Sequence, residues 1–459
     1  MTHRLSSPPG IRARPSLTII ALVLTLAGGA SAEAQSAGRI GVEHFTLPNG
    51  LTVLLAPDHS SQVVAIDIWY RAGAKEEAAG KAGLARMFER LMFAGSANIP
   101  AGAHGPLVQN VGGQGFADVD EETARFGETL PSNRLNLGLW LEADRMHSLA
   151  INDTTVAQAR LELLDDLGKR VSDDPYTAAV LDGLATLYDS IGCPGYSHPS
   201  IGRGISIATL TTAKAQAFCR QRYGPNKATL AIVGDFEPAM ARQLVTKYFG
   251  EIPRGEDAPA VTCKPDFNSG ARKRQVSDRT IDRPAVGVFY RIPGHAHADA
   301  PALQLLGLIL SQGSRSRLGR VLGDEANAAL STQGGVLGDR GGPEVFGLFA
   351  IAAPGVSTDS LNALLVAQAA WAASDSLSDA DLLRAKNMYF ATAVSARERA
   401  SDIADQLLHA AILHGSADSV NTEVARVMAV PLADLRRVAR TWLTPANALT
   451  LIITPEAAS

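Results

Sequence analysis

Two short segments of the chain recur at one fixed offset, and this recurrence restricts the fold more than any other feature of the sequence. Residues 286–291 echo residues 66–71, and residues 444–448 echo residues 224–228. Both pairs are 220 positions apart, since 286 − 66 and 444 − 224 give the same number. A period of this length is too long for a solenoid of stacked repeats. The sequence therefore predicts two domains of similar fold, one after the other.

The pattern of apolar residues predicts strands and helices in a mixed order. Residues 45–55 predict a strand, an Asn-Gly turn and a second strand, and residues 63–71 predict a strand that is apolar on both faces. Apolar residues at helical spacing predict helices at 83–93, 134–149, 156–169, 209–223 and 303–309. Because strict strand–helix alternation is absent, we expect an α+β fold of mostly antiparallel sheets, each covered by helices on one side.

The first residues have the composition of an export signal. Three arginines within residues 4–14 precede an apolar run at 17–26, and residues 30–32 (Ala-Ser-Ala) offer a cleavage site for signal peptidase. Because about ten apolar residues are too few to span a bilayer, we predict that residues 1–32 are removed. The mature protein is then periplasmic or secreted. Cleavage two residues later and an uncleaved anchor are the alternatives.

Composition suggests where the two domains meet. Residues 253–270 are rich in proline, glycine and acidic residues, which is typical of a linker. The predicted domains are therefore residues 40–252 and residues 271–459. The net charge of −4 and the lack of a basic stripe interleaved with aromatic residues exclude a nucleic-acid surface.

The helix predicted at residues 83–93 carries the most informative polar side chains. Arg86, Glu89 and Arg90 are spaced so that they share one helix face. Histidines in place of both arginines would give H-x-x-E-H, with two zinc ligands one turn apart beside a carboxylate. A guanidinium group is permanently protonated and has no lone pair for a metal. The segment therefore has the form of a zinc-peptidase helix without its zinc ligands.

Several segments, taken together, resemble those of a known family. They are LPNGLTVLL from residue 47, GLARMFERLMFAGS from residue 83, LEADRM from residue 141, RYGPNKATLAIVGDF from residue 222 and YFGEIPRG from residue 248. In this order they resemble the insulinase/pitrilysin superfamily of zinc metallopeptidases, specifically mitochondrial processing peptidase and its bacterial relatives. The resemblance implies two similar halves arranged as a clamshell, zinc in the first half, and two chains that often form one working chamber.

The resemblance also assigns the positions of the zinc site. The two histidine ligands correspond to Arg86 and Arg90, and the general base corresponds to Glu89. The third ligand, a glutamate in the family, corresponds to Asp166, which is shorter by one methylene group. We therefore expect a degenerate site that holds no zinc. Our hypothesis is that ion pairs between these arginines and carboxylates fill it; a solvated, salt-bridged helix face is the alternative.

Substrate-binding positions of the family differ here as well. Its asparagine near the substrate strand corresponds to Phe116. The arginine and tyrosine by which its second half holds substrate and oxyanion correspond to Gly323 and Leu330. Neither residue has a side-chain hydrogen-bond donor, so the resemblance implies that this pair is lost.

Together these substitutions imply a protein that binds polypeptide rather than cleaving it. We expect a non-catalytic subunit that pairs with an active zinc-peptidase subunit of the same family and binds extended polypeptide along a sheet edge. The alternative is an active metalloendopeptidase with atypical ligands or a site completed by a partner chain. A stand-alone scaffold or chaperone is a third interpretation. No nucleic-acid partner and no membrane span after signal cleavage are expected.

Three further groups of residues are weaker candidates for a site. Cys193 and Cys219 can form a disulfide in an oxidising compartment, which leaves the third cysteine over. His295 and His297 lack a third nearby ligand, so ordinary surface histidines are expected. The acidic run at residues 118–122 is expected to be a solvated strand edge.

Overall fold

The computed structural model describes residues 38–77, 82–188, 191–258, 261–267, 270–313, 316–338 and 340–456. Residues 40–459 form one compact unit. The predicted signal peptide lies outside the described residues, so its removal stays a prediction, as do the predicted domain boundaries. Within the described part of the chain, no helix is long and apolar enough to cross a membrane.

Two separate sheets organise the chain. The strands of the first sheet are β1 (Glu43–Thr46), β2 (Thr52–Pro57), β3 (Val63–Tyr70), β4 (Gln114–Val119), β5 (Ala124–Pro131) and β6 (Ala228–Gly234). Their spatial order is β1-β2-β6-β3-β5-β4. The strands of the second sheet are β7 (Arg272–Asp278), β8 (Ala285–Ile292), β9 (Ala329–Val336), β10 (Glu344–Ala352) and β11 (Ala448–Pro455). Their spatial order is β7-β11-β8-β10-β9.

The two sheets repeat one topology, with β1 as an addition to the first sheet. In each sheet one neighbouring pair is parallel, β2 with β6 and β7 with β11, and the other neighbours are antiparallel. The register repeats as well: Tyr70 pairs with Ala228, and Tyr290 pairs with Ala448. Both partners are shifted by the 220 positions of the sequence repeat. The predicted duplication is therefore confirmed at the level of single residue pairs.

Helices surround both sheets in the described residues. Those of the first half are α1 (Leu84–Leu91), α2 (His104–Gln109), α3 (Leu135–Ser148), α4 (Asp153–Asp173), α5 (Pro175–Ala185), α6 (Gly204–Ala208), α7 (Thr212–Arg222) and α8 (Pro238–Phe249). Those of the second half are α9 (Ala300–Ser311), α10 (Thr358–Ala372), α11 (Asp379–Ser395), α12 (Ala400–Leu413), α13 (Glu423–Met428) and α14 (Leu432–Trp442). Helix α4 begins earlier than the apolar pattern predicts, because Asn152 and Thr155 form a capping box there.

The first sheet is buried on both faces. One face packs on helices of its own half, where Ile66 and Phe88 are fully buried in the core. The other face, which includes Trp69, packs on Leu407 and Leu408 of α12, a helix of the second half. One helix of the second half is therefore an essential cover for the first sheet.

The outer face of the second sheet is likewise covered by residues of the first half. Phe289 and Leu451 on its outer face pack on Leu184 of α5 and on Leu187 just after it. The expectation that helices cover only one side of each sheet is therefore wrong. The central strands are apolar on both faces, so each sheet needs a second cover, and the opposite half provides it. The α+β class and the two sheet-and-helix halves are confirmed.

The disulfide joins Cys193 to Cys263, and Cys219 is a free thiol. The bridge between Cys193 and Cys219 that the sequence allows is therefore not the one that forms. Cys193 and Cys263 both pack in the core beneath the second sheet, whereas Cys219 packs against the core of the first half. Burial raises the pKa of the Cys219 thiol to about 11.

Candidate functional site

Helix α1 positions the arginines of the H-x-x-E-H-like segment. It begins after Gly83, whose φ of 100° lies in the left-handed region and whose Cβ, if present, would meet Ile207 at 2.7 Å. The carboxylate of Glu77 accepts hydrogen bonds from the backbone N–H groups of Gly83 and Ala85, at 3.0 and 2.7 Å, at the positive end of the helix. The apolar side of α1 is buried in the first-half core. Its polar face is therefore turned toward β4 and α4.

The first of the two arginines is paired within its own helix and with the edge strand. Nη1 of Arg86 donates to Oε1 of Glu89 at 2.8 Å and lies 3.8 Å from Oδ1 of Asp118 on β4. Glu89 is only 8% exposed. Burial raises the pKa of Glu89, and the neighbouring Arg86 and Arg90 oppose that increase. Glu89, which the resemblance assigns to the general-base position, is therefore held in an ion pair with Arg86.

The second arginine reaches the next helix. Nη2 of Arg90 lies 3.2 Å from Oδ2 of Asp166 on α4, a residue 76 positions away. The same oxygen of Asp166 also accepts from Nε of Arg170 at 3.3 Å. We call Arg86, Glu89, Arg90 and Asp166 the degenerate site. Arg86 pairs with Glu89 and Arg90 pairs with Asp166, as hypothesised, and Asp118 is an additional, more distant neighbour of Arg86.

The residues of the degenerate site do not fit a catalytic zinc ion. Such an ion usually takes three deprotonated protein ligands and a water molecule. Here the two histidine positions offer only donors, and each retained carboxylate already accepts hydrogen bonds from guanidinium groups. This region holds three guanidinium groups and three carboxylates, so its charges balance without any cation. The groups are Arg86, Arg90, Arg170, Glu89, Asp118 and Asp166. The arrangement can hold α1 against β4 and α4, but it cannot activate water through a metal.

The three positions that the resemblance assigns to substrate contacts have no polar side chain. Phe116 lies on β4, the edge strand of the first sheet, and is 38% exposed. It covers Gly127 on β5, where a Cβ would meet the ring at 2.8 Å. Gly323 lies in a turn of π-helix at Gly319–Glu325, and Leu330 projects from β9 into solvent. No side chain at either position can hold an oxyanion.

Two family descriptions match successive parts of the chain. "Insulinase (Peptidase family M16)" matches residues 52–184, and "Peptidase M16 inactive domain" matches residues 209–389. The two matches cover 133 and 181 of the 459 residues and lie in the order expected for the family. The chain belongs to the insulinase family, peptidase family M16.

Relatives in this family extend over most of the chain. "Zinc protease PqqE" of Helicobacter pylori is 26% identical over 438 residues, which are 94% of this chain and 97% of that protein. "Mitochondrial-processing peptidase subunit beta" of Blastocladiella emersonii is 23% identical over 274 residues, which are 59% of this chain and 56% of that protein. The predicted resemblance to this superfamily is therefore confirmed.

Solved structures of family members share the fold. A protease from Helicobacter pylori matches with a TM-score of 0.86 and 24% identity, over 91% of this chain and 100% of that chain. The periplasmic protease PqqL from Escherichia coli matches with a TM-score of 0.71 and 16% identity, over 90% of this chain and 47% of that chain. These likenesses confirm the two-half architecture, and the clamshell arrangement is consistent with them.

We expect Arg86→Ala to lower the free energy of unfolding by about 2–3 kcal/mol. It leaves Glu89 buried without its closest partner, and the loss is smaller than for a fully buried pair because Arg90 remains close and Asp118 is exposed. Chemical denaturation of the two proteins measures the difference. Lys169→Ala, which removes an exposed ion pair on α4, is the control and is expected to change little. Equal stability of Arg86→Ala and the parent protein would contradict an ion-paired degenerate site.

The acidic run is not the solvated strand edge that the sequence suggests. Glu122 is buried and pairs with Lys75, and its other oxygen accepts from the hydroxyl group of Tyr196. Glu121 pairs with Arg340 of the second half, with 3.3 Å between Nη2 and Oε1. The prediction fails because these partners are distant in the chain and carry no local signal. Only Asp118 of this run keeps a largely exposed side chain.

The expectation of surface histidines is right for His297 and wrong for His295. His297 is half exposed, whereas the ring of His295 is mostly buried and stacks on His414 with 3.4 Å between ring centroids. Nε2 of His295 lies 3.6 Å from Oε2 of Glu423. A cavity of about 410 Å³ lies among α9, α11, α12 and α13, and it is lined by His295, His409, His414 and Glu423. The sequence gives no sign of this because His414 and Glu423 are more than 100 residues away.

Proposed function

We propose that the protein is a non-catalytic member of its family that binds extended polypeptide and pairs with a subunit carrying an intact zinc site. One observation carries this proposal. The guanidinium groups of Arg86 and Arg90 donate hydrogen bonds to the carboxylates of Glu89 and Asp166, so these carboxylates are already paired where a metal would need them as ligands. A fold that keeps its shape while its metal ligands are replaced retains its binding surfaces and loses hydrolysis. The relatives named zinc proteases illustrate the ancestral activity.

The edge of the first sheet is the surface that suits an extended polypeptide. Strand β4 has β5 on one side only, so its other side offers backbone N–H and C=O groups to an added strand. The exposed ring of Phe116 lies on this strand, and Arg86 with Asp118 lies at its far end. Backbone pairing supplies affinity for any extended chain, and these side chains select among sequences.

An extracytoplasmic location agrees with several features. The N-terminal residues have the pattern of a signal peptide. The disulfide between Cys193 and Cys263 is typical of an oxidising compartment. A structural relative is described as a periplasmic protease. We therefore propose that the protein works in the periplasm or outside the cell.

Binding along β4 is tested with short fluorescent peptides from the oxidised insulin B chain, made with N-methyl groups at alternate residues. In an added strand only every second N–H faces β4. One set of methyl groups should therefore weaken binding at least about tenfold by fluorescence anisotropy, while the complementary set is tolerated. Equal binding of the two methylated peptides would rule out strand addition.

Matched surface variants locate the binding site. Phe116 on β4 and Phe390 on α11 are both 38% exposed. Phe116→Lys should weaken peptide binding and Phe390→Lys should not. If the two variants bind equally well, the peptide lies elsewhere.

Pairing is tested by co-expression with a relative from the same genome that carries an intact H-x-x-E-H segment. The two chains should elute together in size-exclusion chromatography, and cleavage of peptides should require the partner. Chelator-sensitive cleavage by this chain alone would overturn the proposal in favour of an active metalloendopeptidase with atypical ligands.

A further inference from the structure

A second group of metal-ligating side chains lies inside the first half, away from the degenerate site. It consists of His104 on α2, Glu128 on β5 and Glu142 on α3. One ligand atom from each residue lies within 4.8 Å of the other two. The three residues are 7%, 1% and 0% exposed. Sequence analysis did not identify them, because they come from three separate elements.

The polar atoms of this group are only partly satisfied. Arg145, one helical turn after Glu142, donates Nε to Oε2 of Glu142 at 2.8 Å and donates an η-nitrogen to the other oxygen. Neither carboxylate oxygen of Glu128 accepts a hydrogen bond from an N–H or hydroxyl group of the described residues, and its neighbouring acceptor is the carboxyl group of Glu142, with which it can share a proton. Nε2 of His104 lies 3.9 Å from Oε2 of Glu128. A buried carboxylate without a donor is costly, so this geometry calls for a bound cation or proton.

The charge count indicates how much positive charge is missing. Asp67, on the neighbouring strand β3, is also a buried carboxyl group, but its side chain points to the opposite face of the sheet and does not belong to this group. Glu128 and Glu142 are two carboxylates against the single guanidinium group of Arg145. The deficit is one charge. A bound cation offsets it, whereas the alternative is the uptake of one proton that the two glutamates share.

We propose that His104, Glu128 and Glu142 bind one divalent transition-metal cation of the zinc class, as a structural centre of the first half. One imidazole nitrogen and two carboxylate oxygens form a ligand set that is suited to zinc. Arg145 then hydrogen-bonds to a ligand carboxylate, as groups behind metal ligands commonly do.

The spacing of the ligand atoms agrees with this assignment. Ligand atoms about 2.0–2.2 Å from a tetrahedral zinc ion are about 3.3–3.6 Å apart. Closing the present 3.9 Å between His104 and Glu128 needs only small side-chain rotations. Because the ligands are buried, no polypeptide substrate can reach the ion, and its role is to stabilise the fold.

Cobalt binding to the full-length protein tests the proposal. Protein stripped with EDTA is titrated with Co²⁺, and visible absorption, elemental analysis and the thermal midpoint Tm are recorded. We expect one equivalent of Co²⁺ with tetrahedral absorption bands, displacement by Zn²⁺, and a rise in Tm with metal. His104→Asn and the isosteric variant Glu128→Gln should each weaken binding at least about tenfold, with folding checked by circular dichroism.

Two controls separate this centre from other sites. Asp166→Asn, in the degenerate site, and His297→Ala, at an exposed histidine, should bind Co²⁺ like the parent protein. Absence of stoichiometric binding in the folded parent protein would overturn the inference and favour the protonated cluster. It would leave the proposed function untouched. Binding that is lost in Asp166→Asn but kept in His104→Asn would overturn both proposals, since it would place the metal in the degenerate site.

Discussion

Arg340→Met is expected to lower the free energy of unfolding by about 2–4 kcal/mol, because it removes the buried partner of Glu121, a partly buried carboxylate at the junction of the two halves. Arg340 is buried, and its Nη2 lies 3.3 Å from Oε1 of Glu121 on the turn after β4. Its guanidinium group also lies near the rings of Tyr188 and Tyr196, with 6.0 and 5.5 Å to their centroids. Methionine keeps most of the apolar volume, so the loss reports mainly the missing charge. Chemical denaturation at neutral pH measures it.

The pH dependence of this difference gives an independent check. Burial acts to raise the pKa of Glu121, but Arg340 and hydrogen bonds outweigh it and hold the pKa below its ordinary value. A carboxylate with a lowered pKa in the folded state contributes stability above its unfolded-state pKa and loses it as the pH falls. The difference in the free energy of unfolding between the parent protein and Arg340→Met should therefore become smaller below about pH 4.5.

The control is Arg254→Met, which removes an exposed pair with Asp257 and is expected to change stability little at any pH. A loss for Arg340→Met that is no larger than the loss for Arg254→Met would show that the pair contributes nothing to the junction. A gap that stays constant from neutral to acidic pH would show that lost packing, rather than lost charge, is the cause.

Sequence patterns predict those features of this fold that depend on neighbours in the chain. The helix predicted at residues 134–149 from its apolar residues is observed at Leu135–Ser148, although Glu142, Asp144 and Arg145 are buried beside those apolar residues. The pairing of Tyr290 with Ala448 follows from that of Tyr70 with Ala228 by the repeat alone. The cover of the first sheet by α12 could not be predicted. An apolar strand shows that a second cover is needed but not which helix supplies it.

For the candidate site, too, the sequence supplies the residues but not all of their partners in space. The resemblance supplies Arg86, Glu89, Arg90 and Asp166, and the structure brings Arg90 to Asp166 across 76 positions. It does not supply Asp118, because a partner on the edge strand depends on how α1 lies over β4.

The buried ligand cluster left one local signal that the sequence analysis did not use. Helix α3 carries Glu142 and Arg145 among apolar residues, and charged side chains in such positions are rarely buried unless they are paired. His104 and Glu128 complete the group from α2 and β5, and nothing in their local sequence connects them with α3.

Loss of the disulfide is expected to lower the free energy of unfolding by about 4 kcal/mol. Cys193 and Cys263 are 70 residues apart, and a crosslink across a loop of this length removes about that much chain entropy from the unfolded state. The bond also ties the residues after α5, which cover the second sheet, to the segment that connects the two halves. The double variant Cys193→Ser/Cys263→Ser, compared with the oxidised parent protein by chemical denaturation, measures the effect.

Cys219→Ala is the matched control for this experiment. It removes a thiol that packs against the first-half core but takes part in no disulfide, so no crosslinked loop is lost. It should cost clearly less than the double variant, and after it the unfolded, unreduced protein should contain no reactive thiol, where the parent protein contains one. Two thiols remaining after Cys219→Ala would mean that Cys193 and Cys263 are not joined. An intact bond with no stability difference would mean that the unfolded chain already brings these residues together, so that the crosslink removes little entropy.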